Sequence, residues 1–208
     1  ETIDGEEKSD SNPGLFWRTV GPDSVQANVM AAAIVNALTT PQATLAIIYQ
    51  NSVYGAGFKE IVYEGIREIS MDMTLSLHKF ERANSAERQL AWEAVAGLDP
   101  DGILYLSSDI QDITSFISFL DEQTAPSSAP IFLADGAADE DLFQVNVNEQ
   151  MLGRIIGTKP ALNASSIFTA FETQLQQKGY DARANPYTAY TYDATWMAAL
   201  GFAWAHFN

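Results

Sequence analysis

The sequence predicts an α/β fold, a three-layer sandwich built around a mainly parallel sheet. Short apolar runs recur along the chain: TLAIIY (44–49), MTLSLHKF (73–80), GILYLS (102–107) and PIFLA (130–134). Between them, apolar residues return every three or four positions, the spacing of an amphipathic helix. Strands alternating with helices in this way imply parallel pairing, with helices covering both faces.

The elements follow in order. ETIDGEEKSDSNPG has loop composition and an acidic start without Met, which reads as a mature or trimmed chain. After the apolar run GLFW and a Gly-Pro turn, Asp23 is expected to cap a helix over Ser24 to about Leu38, with Gln26 completing a capping box. Val25, Val29 and Ala33, with Met30, Ile34 and Leu38, form its apolar stripe. TLAIIY reads as a strand buried on both faces. A helix from about Gly57 to Ile69 presents Phe58, Ile61, Val62, Gly65, Ile66 and Ile69 on one side. MTLSLHKF is the second strand. Asn84 or Ser85 caps the next helix, which turns Leu90, Ala91, Ala94, Val95 and Leu98 inward.

GILYLS is the third strand, and a helix from near Ile110 buries Ile113, Phe116, Ile117 and Leu120. PIFLA is the fourth strand, followed by the acidic turn DGAADED. FQVNV and GRIIGT are further extended candidates. Ala164, Phe168, Phe171 and Leu175 mark a later helix that Gly179 ends. After ARANP, the segment YTAYTYDATWMAALGFAWA is apolar almost all round, and such a helix requires cover on every side.

Composition narrows the function. The 27 acidic against 11 basic side chains give a net charge of −16, which repels phosphate backbones and anionic membrane surfaces. No nucleic-acid partner is expected. The chain has no cysteine, so disulfides, thiolate metal sites and thiol nucleophiles are excluded. No apolar run reaches the roughly 18–20 residues of a membrane span. His78 and His206 lack metal-ligand spacing and read as structural. Gly55-Ala56-Gly57 is a fragment of a dinucleotide loop whose third glycine is replaced by Glu60. DGAADED lacks the ligand register of a calcium loop. Neither a metal, a cofactor nor a catalytic residue is expected.

Right-handed crossovers gather the carboxyl ends of parallel strands on one edge, where ligands bind near the reversal of strand order. The turns at that edge are Asn51–Tyr54, Ser107–Asp109 and Asp135–Gly136. The candidate ligand-binding residues are therefore Tyr54, Ser108, Asp109, Asp135 and Gly136. Asp109 is equally readable as a helix N-cap, and Tyr54 as a cover for the core. Asp109 or Asp135 could accept hydrogen bonds from a ligand ammonium or amide.

Six motifs in order carry a resemblance over nearly the whole chain. FWRTVGPDSVQA, AIIYQNSVYGAGF, GILYLSS, PIFLADG, GRIIGTKPA and YTAYTYDATWMAAL resemble successive segments of type I periplasmic solute-binding proteins, notably the branched-chain amino-acid-binding components of ABC importers, which share their fold with receptor ligand-binding regions. The resemblance implies a Rossmann-like second lobe over 22–159, entered by a crossover segment (1–21), with 160–208 supplying helices of an incomplete first lobe. It implies a fragment of a longer, hinge-closing, periplasmic or extracellular protein. Its partners would be a small amino-acid-like ligand and a membrane ABC permease, and the 160–208 helices leave room for self-association. Tyr54 matches the family's cleft tyrosine, Asp135 falls where an acid meets the ligand's ammonium, and Asp109 stands where relatives present a tyrosine. That last departure, two acids facing one cleft, suits a cationic or multiply donating ligand. A ligand-sensing receptor domain of the same fold is the alternative.

Overall fold

The computed structural model describes residues 18–82, 84–123, 128–162, 165–183, 185 and 187–207. The chain divides into two units, one of Pro22–Pro160 and one formed by residues 18–21 with those from Ala161 onward.

In the larger unit the order is α1 (Asp23–Ala37), β1 (Thr44–Gln50), α2 (Val53–Ile69), β2 (Thr74–Phe80), α3 (Ser85–Leu98), β3 (Gly102–Leu106), α4 (Ile110–Asp121) and β4 (Ile131–Leu133). Two short 3-10 turns follow, Asp135–Ala137 and Glu140–Gln144, then α5 (Glu149–Leu152) and β5 (Ile155–Gly157). The strands form one sheet in the order β2-β1-β3-β4-β5, each pairing parallel. The predicted α/β class and parallel sheet are thus present.

Period-two alternation builds the layers. Ala46 and Ile48 of β1, with Ile103 and Tyr105 of β3, enter a core shared with α3 and α4. Their neighbours Leu45, Ile47, Leu104 and Leu106 enter a second core shared with α1 and α2. On the first side, Tyr105 stacks on Phe116 at 4.4 Å between ring centroids, and Trp92 lies tilted against Phe116 at 5.6 Å. Such aromatic pairs add about 0.5–1.5 kcal/mol each beyond area burial.

Several element details differ from expectation. The position before α1 is Pro22, which offers no side-chain cap, because Asp23 is already helical. Gln26 forms no capping box. Its amide donates instead to the carbonyl of Thr158 at 2.9 Å and to its hydroxyl at 3.1 Å. Met30, Ile34 and Leu38 of α1 and its cap are buried as expected, but Ala27 and Ala31 join them while Val25 and Val29 are exposed. Both stripes have helical spacing. The alanine stripe is the buried one because α2 approaches so closely that a Cβ on Gly65 would come within 3.0 Å of the Ala31 methyl. In α3 Ala91 and Val95 are buried as expected together with Trp92, whereas Leu90 is 65% exposed and Ala94 and Leu98 are also on the surface. FQVNV forms no strand: Val145 and Val147 pack half-buried against the core, and the edge beside β4 is taken by β5 from GRIIGT.

The smaller unit holds α6 (Ser166–Gln177) and α7 (Thr188–Phe207). The Ser165 hydroxyl caps α6 by accepting the Phe168 N–H. At the other end the N–H groups of Gly179 and Tyr180 donate to Gln176 and Leu175, a Schellman closure. Phe171 meets Tyr192 at 4.7 Å, and the Thr19 hydroxyl donates to the Tyr190 carbonyl. No residue of α7 is buried, and Trp196 and Trp204 are exposed. The GLFW run, Ala164, and Ala184 and Pro186 of ARANP lie outside the described residues.

Candidate functional site

In the sheet, β1 is flanked by β2 on one side and β3 on the other, so the strand order reverses between β1 and β3. Ligands in open parallel sheets bind beyond the carboxyl ends at such a reversal. The turns after β1, β3 and β4 lie at that edge.

After β1 the chain enters α2 four residues earlier than the glycines suggested. The Ser52 hydroxyl accepts the Gly55 N–H at 3.0 Å and caps the helix, so Tyr54, Gly55 and Gly57 are helical. Gly55 is required by close approach: a Cβ there would collide with the Gln50 carbonyl, whereas one on Gly57 would meet nothing. Gly55 thus lets the helix seat tightly on the end of its strand. This placement projects Tyr54 along the edge, where its hydroxyl donates to Asp135 Oδ1 at 2.7 Å.

After β3, Asp109 accepts the Gln111 N–H at 3.1 Å and caps α4. Its other oxygen pairs with Arg82 at 3.3 Å. Ser108 donates to Gln50 Oε1 at 3.1 Å, reaching from the β3 turn to the end of β1. After β4, Asp135 opens a 3-10 turn, and Gly136 packs where any Cβ would strike the Ser107 carbonyl. Two cross-strand contacts, Tyr54 to Asp135 and Ser108 to Gln50, and the seat of Gly136 on the β3 turn thus join four of the candidates, while Asp109 is held by its α4 cap and Arg82.

Gln50 and Arg82 escaped the sequence reading. Gln50 is fully buried at the end of β1, and its Nε2 has no partner among the described residues. A glutamine closing the run TLAIIYQ at an inward position was the available signal. Arg82 lies in a loop whose composition marks nothing.

Among the described residues no cluster of His, Cys, Asp or Glu could hold a metal ion, and no helix is long and apolar enough to cross a membrane. His78 sits on β2 with Nε2 2.9 Å from the Ser76 hydroxyl, and burial lowers its pKa. His206 rests against Phe207 at the end of α7. A separate open groove of about 380 Å³, lined by Gln111, Ser115, Asp141 and Gln144 among others, contains none of the five candidates.

No family model and no curated protein matches the chain. Solved structures do. A leucine-binding protein from Thermotoga maritima superposes with a TM-score of 0.68 at 14% identity, covering 89% of this chain and 51% of its own. An extracellular ligand-binding receptor from Verminephrobacter eiseniae gives 0.62 at 17% identity, covering 79% and 46%. A fatty acid ABC transporter substrate-binding protein from Thermomonospora curvata gives 0.54 at 16%, covering 79% and 45%. At such identities the likeness establishes the fold, that of a type I periplasmic binding protein lobe. The chain spans about half the length of these structures.

Proposed function

We propose that this chain, which has the fold of a type I periplasmic binding protein lobe, is part of an extracytoplasmic solute-binding protein. In this reading residues 22–159 form one wall of a hinge-closing cleft, and residues 160–208 contribute helices to the opposite lobe. The protein binds a small polar ligand, an amino acid or a related compound, and passes it unaltered to an ABC permease. Tyr54, Ser108, Asp109, Asp135 and Gly136 line the wall. The observation that carries the reading is the Tyr54–Asp135 hydrogen bond at the carboxyl edge, beside the strand-order reversal. It pairs a ring that packs on a ligand with a carboxylate that receives its donors.

A thermal-shift screen with L-leucine, L-glutamine, putrescine and benzoate tests the ligand class. A ligand at about 100 times its dissociation constant adds roughly 2.7 kcal/mol to stability. Stabilisation by an amino acid supports the reading, and no shift with either amino acid overturns the amino-acid assignment. The second reading, a sensing domain of a signalling receptor, is favoured by the likeness to an extracellular ligand-binding receptor. A membrane span and signalling domain encoded beyond Asn208 would select it.

A further inference from the structure

Beside the turn that carries Ser108 and Asp109 lies a buried polar cluster. Asp112, in the first turn of α4, is 5% exposed. Its carboxylate pairs with the Arg88 guanidinium of α3, which also lies over the Trp92 ring at 5.3 Å. The same carboxylate accepts the Ser107 hydroxyl at 3.3 Å. Ser107 is itself buried, and its Oγ accepts the Asp109 N–H at 3.1 Å. The Ser107 carbonyl is the oxygen against which Gly136 is seated. One serine therefore touches both the turn after β3 and the turn after β4.

Stability alone does not call for a charge here. The neighbouring inward positions of α4 are Ile113, Phe116 and Ile117, and a carboxylate placed among them loses hydration that its ion pair only partly restores. We propose that Asp112 is the positioning residue of the candidate site: anchored by Arg88, it fixes Ser107, and through Ser107 it sets the two turns bearing Ser108, Asp109, Asp135 and Gly136. The inference rests on reading this edge as the binding wall.

The groups facing Asp112 are Arg88 of α3, Arg82 between β2 and α3, Asp109 at the α4 N-cap, and Ser107 and Tyr105 of β3. Burial raises the Asp112 carboxyl above the ordinary aspartate value against the pull of Arg88, and the Asp109 charge adds to the rise. A raised carboxyl stabilises the fold below the unfolded-state value, and that contribution is lost as pH rises through the folded value. If Arg88 holds Asp112 through the ionised carboxylate, as the proposal requires, site order and stability change in opposite directions over the same pH window.

The test uses amide spectra of the full chain from neutral to acidic pH, for wild type, Asp112→Asn, Asp109→Asn and Ser107→Ala. In wild type the Asp109 and Gly136 amides should move in one shared step above about pH 3.9, the ordinary aspartate value. The step should persist in Asp109→Asn and vanish in Asp112→Asn. In Ser107→Ala the Asp109 amide, its acceptor removed, should be displaced at every pH and no longer follow the step. An Asp112→Asn spectrum with wild-type positions and pH dependence at Asp109 and Gly136 overturns the proposal, as does a step that vanishes in Asp109→Asn. Should Asp112→Asn fail to fold, an unchanged step at Asp109 in Ser107→Ala overturns it equally. No ligand enters these readouts, so failure here and failure of the solute-binding reading are separate results.

Discussion

The Tyr54 hydroxyl donates to Asp135 across 81 residues of sequence, tying the first turn of α2 to the turn after β4. β3 lies between β1 and β4 in the sheet, so the bond crosses the edge at which Ser107–Asp109 emerge. The edge is held from both flanks, and this arrangement leads to several measurable consequences.

Removing the hydroxyl by Tyr54→Phe should cost about 0.5–1.5 kcal/mol of stability, the net worth of a typical hydrogen bond. Combined with Asp135→Asn in a double-mutant cycle, it should show a coupling of at least about 0.5 kcal/mol by urea denaturation. Additive effects would mean the two side chains do not act as a pair.

The two glycines of the Tyr-Gly-Ala-Gly segment should respond oppositely. Gly55→Ala forces a methyl against the Gln50 carbonyl and should lose about 1–3 kcal/mol. Gly57→Ala enters open space in a helix and should gain about 0.4–1 kcal/mol. Thermal denaturation of both variants decides the matter.

In α3 the burial difference fixes the expected ranking. Trp92→Ala should lose about 3–5 kcal/mol, since the indole is packed against Tyr105, Phe116 and Phe119. Leu90→Ala, at a largely exposed position, should change stability by no more than about 0.5 kcal/mol. Urea midpoints of the two variants check the order.

His78 supplies a pH dependence of defined sign. Burial lowers its pKa, so the folded state favours the neutral ring. The stability this contributes is present above the unfolded value of about 6.5 and is lost as pH falls through the lowered folded value. Urea midpoints measured across that window should decline in wild type more than in His78→Gln. Equal slopes in the two proteins would remove the histidine from the account.

The sheet was legible because β1, β3 and β4 are apolar on both faces, and the turns after Tyr49, Leu106 and Leu133 mark where the chain leaves the core. The face of α1 was legible only in part: Met30, Ile34 and Leu38 are buried as expected, but Val25, Val29, Ala27 and Ala31 all obey helical spacing, and only the close approach of Gly65 selects the alanines. Trp92 was passed over in favour of Leu90 because nothing local reveals the cavity that Tyr105 and Phe116 leave for an indole. At the site, the candidate positions followed from parallel topology. Their partners Gln50 and Arg82 are joined to them by tertiary contacts that sequence spacing does not encode.

The central claim is that the edge of Tyr54, Ser108, Asp109, Asp135 and Gly136 receives a small polar ligand. Amide spectra of the full chain titrated with L-leucine, L-glutamine, putrescine and benzoate test it most directly. The account predicts that at least one of the amino acids perturbs residues 51–54, 107–109 and 135–136 together, and that Tyr54→Phe with Asp135→Asn weakens the effect. Perturbations confined elsewhere, or none with any of the four compounds, would contradict it.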